Sequence, residues 1–256
     1  MTTLVDRTIA ALRANHDTLA ALVPTLSEEQ LTGRSGAQEW TVAQVLSHLG
    51  SGAEISRKPI AIAAGEQVEA EDNLSIWDRW NALSPADQAA GFLKHDAAYV
   101  DLVEGLTAEQ RDREIQTGIL PDPVPLLVAL AMRLNEVASH AWDVRVGVDP
   151  SATVDADSAD LLIELFSGPL AFLLGFTGKA DQLEQEVRLA IPGGSIAITD
   201  AVSVTDAVDD LTATFEGPAE AVVRLLTGRL GPDHATGITV TGNVTLNDLR
   251  NVFPGY

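Results

Sequence analysis

Prolines, glycines and capping residues cut the first 150 residues into four long stretches of helical spacing, and after Asp149-Pro150 that pattern stops. Leu4, Val5, Ile9, Leu12, Leu19 and Leu22 share one face of a helix from Thr3 to Leu22, which Pro24 ends. Thr41 and Gln44 form a capping box directly after Trp40. The helix it opens carries Val42, Val45, Leu46 and Leu49 on its apolar stripe, with His48 at the edge. Ser84-Pro85, an N-cap followed by proline at the first helical position, starts a third helix that runs to about Gly105. Pro121, Pro123 and Pro125 force a break, and a fourth helix follows from about Pro125 to Gly147, its C-cap. Such a set of helices reads as a bundle.

Beyond residue 150 one more apolar helix, Ala159 to about Leu174, contains Gly168-Pro169, which should kink or split it. Short β-like runs then follow at 186–191, 195–199, 211–215 and 238–241, separated by Gly and Pro turns, with a helix after Gly217-Pro218 between the last two. The expectation is a two-domain α+β chain, an all-helical domain over 1–150 and a smaller α+β domain over 151–256.

With 37 Asp and Glu against 16 Lys and Arg, the formal net charge is -21. That field repels phosphate backbones and anionic lipid headgroups, so nucleic acid and membrane surfaces are poor partners. An anionic substrate must be drawn in by a local cation. The chain has no cysteine, hence no disulfide, thiolate ligand or cysteine nucleophile, and any reacting thiol has to arrive from outside. The N-terminus lacks the features of a secretory signal, and apolar runs such as 126–132 are too short to span a bilayer, so a soluble cytoplasmic protein is expected.

The fourth helix carries the candidate chemistry. Residues four apart stack on a helix, so Glu136 and His140 present a carboxylate and an imidazole to one point. If the second helix is a neighbour, His48 can supply a third ligand and leave a metal open for chemistry. At about 100° per residue, Arg133, Glu136, His140 and Asp143 form one polar stripe. The plainer reading is a solvated face, on which Glu136 and His140 are an ordinary i, i+4 pair. His48 taken alone reads as a hydrogen-bonded core histidine. His16 either joins the cluster or faces solvent, and His95 and His234 carry no supporting context. Asp143 either orients a ligand from behind or pairs with Arg133 or Arg145.

The two segments Trp-Thr-Val-x-x-Val-Leu-x-His-Leu at 40–49 and Asn-Glu-x-x-x-His-Ala-Trp-Asp at 135–143 resemble the mycothiol-dependent maleylpyruvate isomerase family in order, helical context and separation. The resemblance implies a DinB-like up-down four-helix bundle followed by a C-terminal domain similar to a sterol carrier protein. It implies that His48, Glu136 and His140 hold a divalent metal, usually zinc, with mycothiol as the thiol cosubstrate. It further implies a functional arginine in the stretch Arg224 to Arg229. Arg229, which follows a glycine near a helix end, is preferred over Arg224 in mid-helix. The plainer reading of either is a surface cation at a helix C-terminus.

On this reading the enzyme activates a low-molecular-weight thiol for addition to an electrophilic or dicarboxylate substrate. Addition turns a cis double bond into a single bond, rotation follows, and elimination completes the isomerisation; addition without elimination is an S-transfer. Two alternatives stand beside it: a metal-dependent hydrolase using bound water, and a non-catalytic small-molecule-binding module.

Overall fold

The computed structural model describes residues 2–255, and the chain divides into two compact units, Met1–Ala152 and Thr153–Tyr256. The fold is α+β, with helices in the first unit and a sheet in the second.

The first unit contains α1 (Leu4–Leu22), α2 (Glu28–Thr32), α3 (Val42–Ala64), α4 (Asn73–Asn81), α5 (Pro85–Gly105) and α6 (Ala108–Arg111). A two-residue antiparallel hairpin, β1 (Glu114–Ile115) with β2 (Val124–Pro125), then leads into α7 (Leu126–Val146). Three of the four long helices, α1, α3 and α5, start at a side-chain cap, and α7 starts directly after Pro125. Thr3, Thr41 and Ser84 each accept a hydrogen bond from the backbone N–H three residues on, satisfying a donor that the helix itself leaves unpaired.

Contacts run α1–α7, α7–α3, α3–α5 and α5–α1, so α1 and α3 stand at opposite corners of the bundle. Leu12, Leu19, Val45, Leu46, Leu49, Phe92, Val100, Leu130, Leu134 and Val137 fill the interior. The small helices α2, α4 and α6 and the hairpin, which the periodicity of the sequence does not announce, lie in the connections.

One polar chain crosses this apolar interior. Arg133 on α7 donates through Nη2 to Asp96 Oδ1 on α5 (2.8 Å) and to the backbone carbonyl of Leu49 on α3 (2.8 Å). Asp96 Oδ2 lies 2.9 Å from Nδ1 of His16 on α1. A carboxylate can only accept, so the imidazole nitrogen carries the proton. All four corners of the bundle are tied through one guanidinium and one carboxylate. His16 is thus neither a member of the Glu136–His140 cluster nor a solvent-facing residue. Burial alone would push Asp96 up, but the His16 hydrogen bond and the Arg133 charge outweigh it and hold the carboxyl below its ordinary value.

The second unit runs α8 (Ala156–Phe166), α9 (Leu174–Thr177), β3 (Val187–Ile191), β4 (Gly194–Ile198), β5 (Val202–Thr205), β6 (Ala213–Glu216), α10 (Ala219–Leu226), β7 (Thr239–Gly242) and α11 (Leu246–Val252). The expected apolar helix over 159–174 is split at Gly168-Pro169 into α8, a tight turn and α9. The sheet order is β5-β4-β3-β6-β7. β3 pairs antiparallel with β4 and parallel with β6, in register Leu189 to Ala213. β5 is an edge strand absent from the sequence expectation. Among the described residues, no single helix is long and apolar enough to cross a membrane.

The bundle network yields a stability test. Asp96→Asn leaves the Arg133 cation buried without its countercharge and should cost about 3–5 kcal/mol in denaturant unfolding at neutral pH. Because Asp96 titrates lower in the folded state, its contribution is fully present above the unfolded aspartate value of about 3.9 and is lost as pH falls through the folded value. The acid limb of the stability curve should therefore be shallower in Asp96→Asn.

Candidate metal centre

α3 and α7 pack side by side, and each delivers part of one cluster. On α3 the reciprocal cap, with Gln44 N–H donating to Thr41 Oγ1 (3.2 Å) and Thr41 N–H to Gln44 Oε1 (2.8 Å), fixes where the helix begins. His48 follows one turn later. On α7 the i, i+4 spacing stacks Glu136 and His140. His48 Nε2 lies 3.1 Å and His140 Nε2 3.6 Å from Glu136 Oε2, and the candidate ligand atoms of the three residues all lie within 4.8 Å of one another.

The polar stripe on α7 is not a solvated face. Arg133 is 5% exposed, His140 9% and Asp143 0%. Only Glu136 and His48 open outward, with side chains 38% exposed, so the cluster is reached from one side. Asp143 Oδ2 lies 2.8 Å from His140 Nδ1. Since the carboxylate accepts, Nδ1 carries the proton and Nε2 is turned toward Glu136. The packing around Glu136 would by itself push its carboxyl up; hydrogen bonds from His140 and His48 outweigh this and hold it well below the usual carboxylate range.

Trp40 opens the first of the two motif segments, directly before the N-cap of α3. Its ring centroid lies 5.1 Å from that of His48 and 5.9 Å, roughly stacked, from that of His140. The loop that carries it is docked on the same turn of α7 that orients His140. Gly36 N–H donates to the carbonyl of Asp143 at 2.8 Å, one of the last helix carbonyls without an intrahelical partner. A Cβ on Gly36 would meet Val146 Cγ1 at 2.7 Å and Asp143 Oδ1 at 2.8 Å, so only glycine lets the loop approach this closely.

The remaining candidates separate by environment. His95 Nδ1 lies 3.6 Å from Glu54, and its ring meets Trp80 edge-on, away from the cluster residues in sequence and partners. In the second unit Arg224 is not a surface cation. It is 5% exposed and bidentate to Glu220 (2.7 and 2.8 Å), with Nη1 on the His234 carbonyl. Arg229 follows Gly228, whose φ of 72° turns the chain out of α10, and is half-buried with Nη1 donating to the Thr227 carbonyl at 3.1 Å.

The sequence profile of the mycothiol maleylpyruvate isomerase N-terminal domain matches residues 12–145, more than half of the chain. The chain belongs to this family. The matched span contains His48, Glu136 and His140. Two solved structures are similar in fold over 100% of both chains, each with a TM-score of 0.66 and 18% identity: the mycothiol-dependent maleylpyruvate isomerase and a histidine-to-alanine mutant of it. No curated protein sequence matches.

The Gly36 contact gives a direct test of the docked loop. Gly36→Ala should destabilise the protein by about 1–3 kcal/mol through overpacking. It should also alter tryptophan emission by moving Trp40 relative to the two imidazoles, read in the same unfolding experiment.

Proposed function

We propose that this protein is a divalent-metal-dependent, mycothiol-using isomerase of the maleylpyruvate type, with His48, Glu136 and His140 as the protein ligands of a metal and zinc as the first choice. The observation that carries this reading is the convergence of two imidazole nitrogens and one carboxylate oxygen from two packed helices on one outward-facing point. The donor set fits. Two neutral imidazoles and one carboxylate suit zinc, and three ligands are the number that catalytic sites use when they keep positions open. The hydrogen bond from His140 Nδ1 to Asp143 supports the same reading, because it fixes the tautomer and ring orientation a ligating histidine needs.

A bound divalent cation supplies positive charge that favours thiolate over thiol near neutral pH and polarises a carbonyl. The chain's own residues do the rest. Asp143 holds the proton at His140 Nδ1 and so keeps Nε2 available. Glu136 stays ionised. The family resemblance offers Arg229, in the second unit, as a guanidinium for a carboxylate group, whose negative charge a chain of net charge -21 otherwise repels. With no cysteine in the chain, the sulfur that adds to the cis double bond is the cosubstrate's. Addition gives a single bond, rotation about it exchanges the two faces, and elimination of the same thiol restores the double bond in the trans arrangement, so the thiol is regenerated.

The test is turnover of maleylpyruvate with and without mycothiol, together with metal stoichiometry. Thiol-dependent isomerisation by protein carrying one equivalent of metal is expected; hydrolysis of an electrophile that needs no thiol would overturn the reading in favour of a hydrolase. His48→Ala and His140→Ala should each lose stoichiometric metal while circular dichroism shows helix content nearly intact, since leucine and valine packing holds both helices. Asp143→Asn should weaken metal affinity about 10–100-fold in a chelator competition. Arg229→Ala should keep its metal and raise KM.

A further inference from the structure

The largest side chain beside the cluster has no task in the ligand set. Trp40 is 39% exposed, although the core of this unit buries Trp80 and Trp142 almost completely. Its ring stands against both imidazoles, 5.1 and 5.9 Å away between centroids, and the side chains of His48 and Glu136 are partly open to solvent like the indole itself. A tryptophan just before an N-cap commonly staples onto the first turn of its helix; here the indole reaches the second turn, at His48. The loop beneath it is held at several points. Arg34 bridges Thr41, Ser35 Oγ donates to the Trp40 carbonyl at 2.7 Å, and Gly36 is bonded to Asp143. A fixed loop, a steric requirement for glycine at 36 and an aromatic left uncovered together describe a prepared contact surface.

We propose that Trp40 is the specificity-determining wall of the substrate site, a π-face on which a planar, conjugated carboxylate lies while its polar end reaches the His48–Glu136–His140 centre. The proposal rests on the metal-centre reading above and adds what that reading lacks, a reason to prefer an unsaturated substrate over a saturated one of equal charge. Metal and guanidinium both respond to charge and cannot make that distinction. Stacking on an indole can, because a flat conjugated acid presents its whole face to the ring and a puckered aliphatic chain does not.

The experiment compares trans,trans-muconate with adipate, dicarboxylates of equal length and charge that differ in conjugation. Each is titrated by calorimetry into the zinc-loaded protein without thiol, so no turnover occurs. The wild type should bind muconate about 2- to 12-fold more tightly than adipate, the range for an aromatic pair. Trp40→Ala should bind both alike, with the larger loss of affinity falling on muconate. Trp40→Phe should recover most of the preference, which a merely structural role for the loop would not restore. Unchanged zinc stoichiometry in both variants shows that the centre is intact. Equal binding of the two acids by the wild type, or a muconate preference that survives in Trp40→Ala, overturns the proposal. If the wild type takes up no zinc, the metal-centre reading fails instead; the muconate preference, measured in the same zinc-free protein, then still decides for or against Trp40.

Discussion

A single buried guanidinium sets the register on which the site depends. Arg133 reaches across the bundle to Asp96 and to the carbonyl of Leu49, and Asp96 in turn holds His16. Burying these charges is costly, and a packed apolar substitute could stabilise the bundle as well or better. What an apolar contact lacks is direction. The fork of Arg133 accepts one placement of α3, the one that puts Leu49 opposite it. Leu49 is next in sequence to His48, and Arg133 is one turn before Glu136, so the contact that fixes α3 against α7 lies beside the pair it aligns. A shift of one residue along α3 would rotate His48 by about 100° and move it by about 1.5 Å, enough to carry its nitrogen out of reach of Glu136.

This network explains why the polar stripe of α7 misled the simplest reading of the sequence. Arg133, His140 and Asp143 look like a solvated face because nothing local to α7 reveals what covers them. Asp96 lies on α5, Leu49 on α3, and the Trp40 loop covers the last turn. His140 and Asp143 also bond to each other within α7, but what covers the stripe is far away in sequence, so its burial follows from tertiary packing. The caps of the long helices were legible for the opposite reason. Thr41 with Gln44, and Ser84 before Pro85, satisfy donors within three residues of themselves, and no distant element is needed. Between these extremes lies α4, where Ile76 and Trp80 are buried but Leu74 and Trp77 are exposed, so the apolar pattern points to no single face. The edge strand β5 alternates correctly but spans only Val202–Thr205, too little to stand out from a loop.

The candidate site was legible in the same graded way. Glu136 and His140 meet because of helix geometry, which sequence spacing states directly. Their meeting with His48 needed α3 and α7 to be neighbours, a tertiary fact that the resemblance implied and the bundle contains. Trp40 could not be placed in this way. It precedes its helix, belongs to no periodic pattern, and reaches the imidazoles only because Gly36 lets the loop close onto Asp143. In the second unit the sequence preferred Arg229 over Arg224, and the structure gives the two different surroundings. Glu220 and the His234 carbonyl engage the buried Arg224, and the Thr227 carbonyl engages the half-buried Arg229, which comes after the left-handed Gly228 at the end of the helix.

The electrostatics of the centre limit what it can do unaided. On the proposed reading, a divalent cation held by Glu136, with Asp143 behind His140, would have its charge largely balanced by two carboxylates and would act on a nearby thiol or carbonyl without attracting anions from a distance. The surrounding chain, at a formal net charge of -21, opposes such attraction further. Affinity for an anionic substrate must therefore come from short-range contacts. A guanidinium recognises a carboxylate through directional, charge-assisted hydrogen bonds, and an indole recognises a conjugated plane through dispersion and its quadrupole. Neither interaction is weakened much by the distant acidic surface, since both act at contact, where the Coulomb field of scattered surface carboxylates is screened over about 8 Å at physiological salt. An acidic protein can in this way select a small unsaturated acid while discouraging polyanions such as nucleic acid, because the first needs one or two close contacts and the second needs a field.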